Sequence, residues 1–189
     1  RRKYDLVEGK NKLTNIYNSI FVIGRESELY HYYDKKHLVP FGEFIPLRHF
    51  FNIENLVGSQ MDFTAGKKNN IYSLPKLFPS VALLVCYEII FPDLIRQAVK
   101  NGAHFLINIT NDAWFGKSPA SYQHISMGAL RAVENRVPII RAANTGVSGT
   151  IDANGTLRHE TELFVEAAKI TKITPRQGGL TFYTTYGDV

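Results

Sequence analysis

The sequence predicts a layered α/β domain, and three observations carry that expectation. Residues 81–85, Val-Ala-Leu-Leu-Val, form a continuous apolar run of strand length, as expected for a strand buried on both faces. A helix signal follows, with Pro92 at a favourable first position and Leu94, Ile95, Ala98 and Val99 on one helical face that ends at Gly102. A second apolar run then begins at His104, so strand and helix alternate as they do in layered α/β folds.

Each further element has its own local reason. Residues 19–23 and 28–33 read as two strands around a turn at Gly24. Residues 38–46 hold two prolines and a glycine, which makes them an ordered loop or a broken strand. Residues 51–79 are rich in Asn, Gly, Lys and Pro and form a long excursion of the kind that is usually functional or mobile. Its Phe50, Phe51, Leu56 and Val57 suggest a segment that touches a membrane or gates lipid access. After the strand at 104–109 comes a polar and aromatic loop at 110–116, then a longer helix at 119–136. Residues 138–143 and 147–151 read as strands, and Asp152-Ala153-Asn154-Gly155 is a turn before another strand. No composition shift or repeat divides the chain, so residues 1–189 are expected to be one domain.

Composition narrows the function classes. The 189 residues are 44% hydrophobic and 21% charged, which describes a packed domain rather than a disordered one. The net charge of +5 is spread over short clusters such as Arg1-Arg2-Lys3 and Lys67-Lys68, without the basic stripe of a nucleic-acid binder. One cysteine excludes an internal disulfide and a cysteine-rich zinc site, and no metal or cofactor is expected. No run approaches the ~20 apolar residues that span a bilayer, and the basic start leads into polar sequence rather than a signal peptide.

That lone cysteine is the first candidate for chemistry. Cys86 ends the buried strand and precedes Tyr87-Glu88 and a helix start, so it stands at the sheet rim where open α/β folds bind ligands. A helix N-terminus there favours a thiolate and offers amides to a developing oxyanion. Taken alone, Cys86 is either a nucleophile or a buried structural thiol. A partner segment runs from Tyr33 to Phe44. In it Lys35 reads as a surface lysine and His37 as a packed histidine, but Glu43, lying between Phe41 and Phe44, needs a partner to offset its desolvation. A lysine ammonium is the most economical one.

Together these segments resemble the nitrilase superfamily, and within it the apolipoprotein N-acyltransferase family. The resemblance rests on Tyr33-x-Lys35-x-His37-Leu38-Val39-Pro40-Phe41-Gly42-Glu43, Val85-Cys86-Tyr87-Glu88 and Asn108-x-Thr110-Asn111-Asp112-Ala113-Trp114-Phe115-Gly116. It extends through Gln123-His124, Arg131-Ala132-x-Glu134-Asn135-Arg136 and Arg141-Ala142-Ala143-Asn144-Thr145-Gly146-Val147-Ser148. The resemblance implies a nitrilase-like αββα sandwich with a Glu–Lys–Cys triad. It implies that Cys86 takes an acyl chain from a phospholipid as a thioester and passes it to the α-amino group of a diacylglyceryl-apolipoprotein. It places the catalytic domain on the periplasmic face of a bacterial inner membrane. Lys35 matches the catalytic lysine, Glu43 and Glu88 match supporting carboxylates, and Tyr87 offers its amide to the oxyanion. Trp114 and Phe115 either line an acyl entrance or plug a core. Glu134, Asn135, Arg136 and Arg141 are expected in a structural polar network or a subunit contact, and Asn144, Thr145 and Gly146 in a loop near the site.

One part of the family pattern has no match. Its general-base glutamate lies well upstream of the lysine in a Pro-Glu strand, and Asp5, Glu8, Glu26 and Glu28 lack that context. The sequence is therefore expected to be a portion of the domain, incomplete at the N-terminus and without the family's membrane helices. It is expected to be inactive by itself, and to be either a truncated gene product or one piece of a split protein whose partner is a separate N-terminal portion of the same enzyme. Two alternatives stay open, a soluble nitrilase-type amidase and a non-catalytic remnant of the acyltransferase.

Overall fold

The computed structural model describes residues 1–7, 10–46, 62–73 and 79–188, and the chain divides between Asn69 and Asn70 into two compact units. The first unit is built from two antiparallel hairpins. Strands β1 (Arg2–Val7) and β2 (Lys10–Ile16) pair across their whole length. Strands β3 (Ser19–Ile23) and β4 (Leu29–Asp34) pair from Ser19↔Asp34 to Ile23↔Leu29 around the expected Gly24 turn. The first hairpin was not legible in the sequence, because lysines, arginine and asparagines interrupt the period-2 apolar pattern that marks a half-buried strand. Residues 38–46 form turns joined by a Pro40↔Phe44 bridge, as their prolines and glycine require. Phe50, Phe51, Leu56 and Val57 lie outside the described residues.

The second unit carries a six-stranded mixed sheet in the order β10-β9-β8-β7-β6-β5. Its strands are β5 (Ile71–Tyr72), β6 (Val81–Val85), β7 (Phe105–Asn111), β8 (Ile139–Asn144), β9 (Gly149–Ile151) and β10 (Leu157–Arg158). β6, β7 and β8 run parallel, joined by α1 (Pro92–Lys100) and α2 (Ala120–Asn135), while β5 and β9 pair antiparallel to their neighbours. All five residues of β6 are buried, which is why the run carries no polar alternation. Ile95, Ala98 and Val99 of α1 and Ile125 and Ala132 of α2 meet Leu84, Leu106 and Ile139 of the sheet in one apolar core. Burial of a leucine side chain such as Leu84 contributes about 2 kcal/mol.

The helix ends follow local rules. Pro92 opens α1, and Gly102 leaves its end at φ 102°, a conformation open to glycine. Arg136 closes α2 in the left-handed region at φ 49°. Glu134 pairs with Arg131 at 2.7 Å. Buried Asn135 accepts from Thr184 of α3 (Phe182–Tyr186) and donates to the Arg131 carbonyl. These residues tie the end of α2 to α3, and Arg141 belongs to a different network described below.

Candidate active site

Cys86 follows β6 directly and opens a 3-10 turn, Cys86–Ile90. Its φ is 52°, in the left-handed region that a residue with a Cβ enters at a cost of about 1–2 kcal/mol. Such a sharp strand-to-turn corner lifts a side chain off the sheet end, and the Cys86 side chain is only partly buried. Two contacts hold the corner. The buried Glu88 carboxylate accepts from the Val85 amide at 2.8 Å, closing the turn back onto the strand. Asn108 of β7 donates from Nδ2 to the carbonyls of Cys86 at 3.0 Å and Leu84 at 3.4 Å. The first amides of a 3-10 turn, that of Tyr87 among them, have no carbonyl one turn earlier to bond.

Beneath this corner lies a buried polar network. Arg141 is the register partner of Asn108 in the parallel β7–β8 pair, so both project from the same face of the sheet. Arg141 Nη1 donates to Asn108 Oδ1, Nη2 donates to Asp112 Oδ2 at 2.7 Å, and Nε donates to the Val147 carbonyl at 3.2 Å. Asp112 Oδ1 accepts from the Thr110 hydroxyl at 2.9 Å and faces His124 Nδ1 at 3.2 Å. Arg141 Nη2 also lies 3.1 Å from that nitrogen. A guanidinium only donates and a carboxylate only accepts, so His124 Nδ1 satisfies one of the two at a time. Burial pushes the Asp112 carboxyl up, but bonding from His124 and Thr110 and the Arg141 charge outweigh it and hold the group below the usual range. Burial pushes Arg141 below its ordinary value, against the pull of Asp112 and of a thiolate at Cys86.

Gly146 is required by this packing. A Cβ there would stand 2.4 Å from Asp112 Oδ2, so only glycine lets the loop after β8 close over the carboxylate. That observation gives the expected loop residue a physical role. Asn108, Asp112 and His124 were present in the quoted motifs, but nothing in the sequence singled them out. They meet only through the strand register and the position of α2.

The aromatic residues divide. Trp114, on the 3-10 turn Asp112–Phe115, is 83% exposed and plugs no core. Phe115 is half-buried, edge-on to His124 with ring centroids 5.8 Å apart. The exposed Tyr87 ring lies 5.8 Å from His124 and edge-on to Phe91.

In the first unit, Lys35 follows β4 and is 1% exposed. Its Nζ bonds Glu43 Oε2 at 2.7 Å, which supplies the ammonium partner that Glu43 required. The same carboxylate accepts from the Val39 amide at 2.8 Å and from Asn18 Nδ2 at 2.9 Å. The Lys35 backbone is fixed on both sides, its N–H donating to the Asn18 carbonyl and its carbonyl accepting from Gly66. A Cβ on Gly66 would lie 2.0 Å from the Asp34 carbonyl, so this approach also needs glycine. Lys36 is only partly buried, so the two neighbouring lysines occupy different environments.

The upstream carboxylates are differently placed. Asp5 is exposed and bonds Lys3. Glu26 and Glu28 sit in the exposed turn after β3, where a bond from Tyr30 and backbone amides hold Glu28 below the usual carboxylate range. Glu8 lies outside the described residues.

The model of the carbon-nitrogen hydrolase family matches residues 5–176, and the chain belongs to that family. A solved carbon-nitrogen hydrolase from Helicobacter pylori aligns with a TM-score of 0.57 at 18% identity, covering 77% of this chain and 52% of that one. The likeness bears on the fold, which is of the nitrilase class expected from the sequence. Among curated relatives, the chain is 46% identical to an apolipoprotein N-acyltransferase of Geobacter metallireducens, over 91% of this chain and 33% of that protein. It is 44% identical to an apolipoprotein N-acyltransferase of Rhizobium rhizogenes, over 75% of this chain and 27% of that protein. The chain thus spans about a third or less of the relatives' length.

Proposed function

We propose that the chain is the nucleophile-bearing part of an apolipoprotein N-acyltransferase. The observation that carries this reading is the Cys86 corner, a partly exposed thiol on a left-handed residue at the end of a buried parallel strand. The acyltransferase names of the relatives point to a lipoprotein as acceptor. The Cys86 thiolate attacks the ester carbonyl of a phospholipid, a lysophospholipid alkoxide leaves and takes up a proton, and a thioester forms. The α-amino group of a diacylglyceryl-apolipoprotein then attacks the thioester, loses its proton to a base, and returns the thiolate.

Within this reading Lys35 supplies the ammonium that stabilises each oxyanion, Glu43 holds it in place, and Glu88 fixes the corner that presents Cys86 and the Tyr87 amide. Trp114 is the side chain offered to the acyl chain or the lipid surface. Neither Glu43 nor Glu88 is assigned as the base, because the first already pairs with Lys35 and the second already accepts from Val85. The site of action is a bacterial inner membrane, with the domain on its periplasmic face. Among the described residues no helix is long and apolar enough to cross a membrane.

The test is an acyl-transfer assay with acyl-labelled phospholipid and a diacylglyceryl-peptide, using protein that contains this chain. Transfer that disappears in Cys86→Ala and Cys86→Ser is expected. Undiminished transfer by Cys86→Ala would overturn the assignment, and hydrolysis of small amides without any acyl transfer would favour an amidase.

A further inference from the structure

The network under the corner has a composition that packing alone does not require. Asn108, Asp112, His124 and Arg141 are each at most 3% exposed and come from β7, the turn after it, α2 and β8. A buried ion pair is weak stabilisation compared with apolar side chains of the same volume, so its presence asks for another explanation. The network touches the nucleophile's backbone at one point, the Cys86 carbonyl bonded by Asn108, whose own side-chain oxygen is held by Arg141.

We propose that Arg141 is a positioning residue for the Cys86 nucleophile, with Asp112 as its counterweight. Through Asn108 it fixes the Cys86 carbonyl and so the left-handed backbone that presents the sulfur. Its charge favours the thiolate over the thiol. Asp112 opposes that effect, keeping the cation in place while tempering the field that the sulfur feels. The ionisable groups this network gathers around the corner are Glu88 and Tyr87 from its own turn, Arg141 from β8, Asp112 from the following 3-10 turn and His124 from α2.

The proposal rests on Cys86 as the nucleophile, yet its test needs no acyl transfer, so the two can fail separately. Cys86 is the only cysteine in these 189 residues, and iodoacetamide labelling across pH, read by mass on the peptide that holds Cys86, reports this thiol. Removing the cation in Arg141→Gln is expected to move the labelling midpoint to higher pH by about one unit, a roughly tenfold loss of thiolate at a fixed lower pH. Removing the counterweight in Asp112→Asn, an isosteric change that still accepts one bond from Arg141, is expected to move the midpoint to lower pH. The double variant is expected to lie between the two, and it leaves neither charge unpaired should Arg141→Gln fail to fold. Arg141→Lys keeps the charge but loses the fork that spans Asn108 and Asp112, so most of the midpoint is retained while the labelling rate above the midpoint falls. A purely structural network would lower melting temperature in both single variants and move both midpoints the same way or not at all. Either of those outcomes overturns the proposal.

Discussion

The two units hold their candidate functional groups by different means. In the second unit Cys86 stands at the end of a strand whose five residues are all buried, and α1 and α2 pack against the same sheet. Its position is set by apolar packing, and polar bonds only refine the corner. In the first unit, Ile20, Tyr33 and Ile45 are the only buried apolar side chains among the described residues, and Lys35 is held by the Glu43 pair and a short set of backbone bonds. A nucleophile must keep one backbone geometry through two half-reactions, which a core provides. In the proposed role, the Lys35 ammonium answers two successive oxyanions and needs mainly a fixed charge, which one ion pair provides. The Cys86 unit should therefore tolerate the loss of one polar bond better than the Lys35 unit does.

That contrast is sharpest at Lys35. Lys35→Ala should lower the acyl-transfer rate by about 10²–10³-fold, the usual loss for an oxyanion donor, while Lys36→Ala stays within a few-fold. Steady-state rates of the two variants check this, and equal losses would show that the wrong lysine carries the role. Gly146→Ala comes next. Its Cβ would press on Asp112 Oδ2, and an overpacked buried site costs about 1–3 kcal/mol. Thermal unfolding should show that loss together with slower Cys86 labelling, and an unchanged melting temperature would mean that the loop relaxes freely.

The acid response tests both units by the same group type. Asp34, bonded by Arg1 and Ser19, and Asp112, bonded by His124, Arg141 and Thr110, are each held below the ordinary carboxylate value despite burial. A depressed folded value means stability that is present above the unfolded value, near 3.8 for Asp, and lost as pH falls through the lower folded one. Melting temperature should therefore be flat near neutrality and fall below about pH 4. Asp34→Asn and Asp112→Asn should each flatten that fall, and a fall of unchanged steepness in both would assign it to other carboxylates. The smallest effect is expected at Trp114. At 83% exposure, its change to Ala should shift stability by no more than about 0.5 kcal/mol while acyl transfer from lipid vesicles slows, and a large loss of stability would contradict its surface role.

The same contrast explains what the sequence could disclose. β6, α1, β7, α2 and β8 were legible because a core imposes continuous apolar runs and a helical period on them, as in residues 81–85 and in Ile95, Ala98 and Val99. Their ends also carried local signals, as at Pro92 and Gly102. The β1–β2 hairpin was hidden because its polar residues carry no such period, and β5 because two residues make no pattern, while the equally short β10 was legible only through the turn at residues 152–155 that precedes it. Among the candidate residues, Glu43 stood out by its need for a cation, while Cys86 and Lys35 were singled out by their places in the motifs that carry the family resemblance. The positive φ at Cys86 left no compositional trace, since the position is not a glycine. Asn108 and Arg141 lie 33 residues apart and become neighbours only through the β7–β8 register, which sequence spacing does not encode.

The most direct measurement is to expose protein containing this chain to acyl-labelled phospholipid without acceptor and weigh the intact product. The account predicts an added acyl mass on Cys86, removed by neutral hydroxylamine as a thioester is, and missing from Cys86→Ala. A stable acyl mass on any other residue, or the same labile mass in Cys86→Ala, would contradict it.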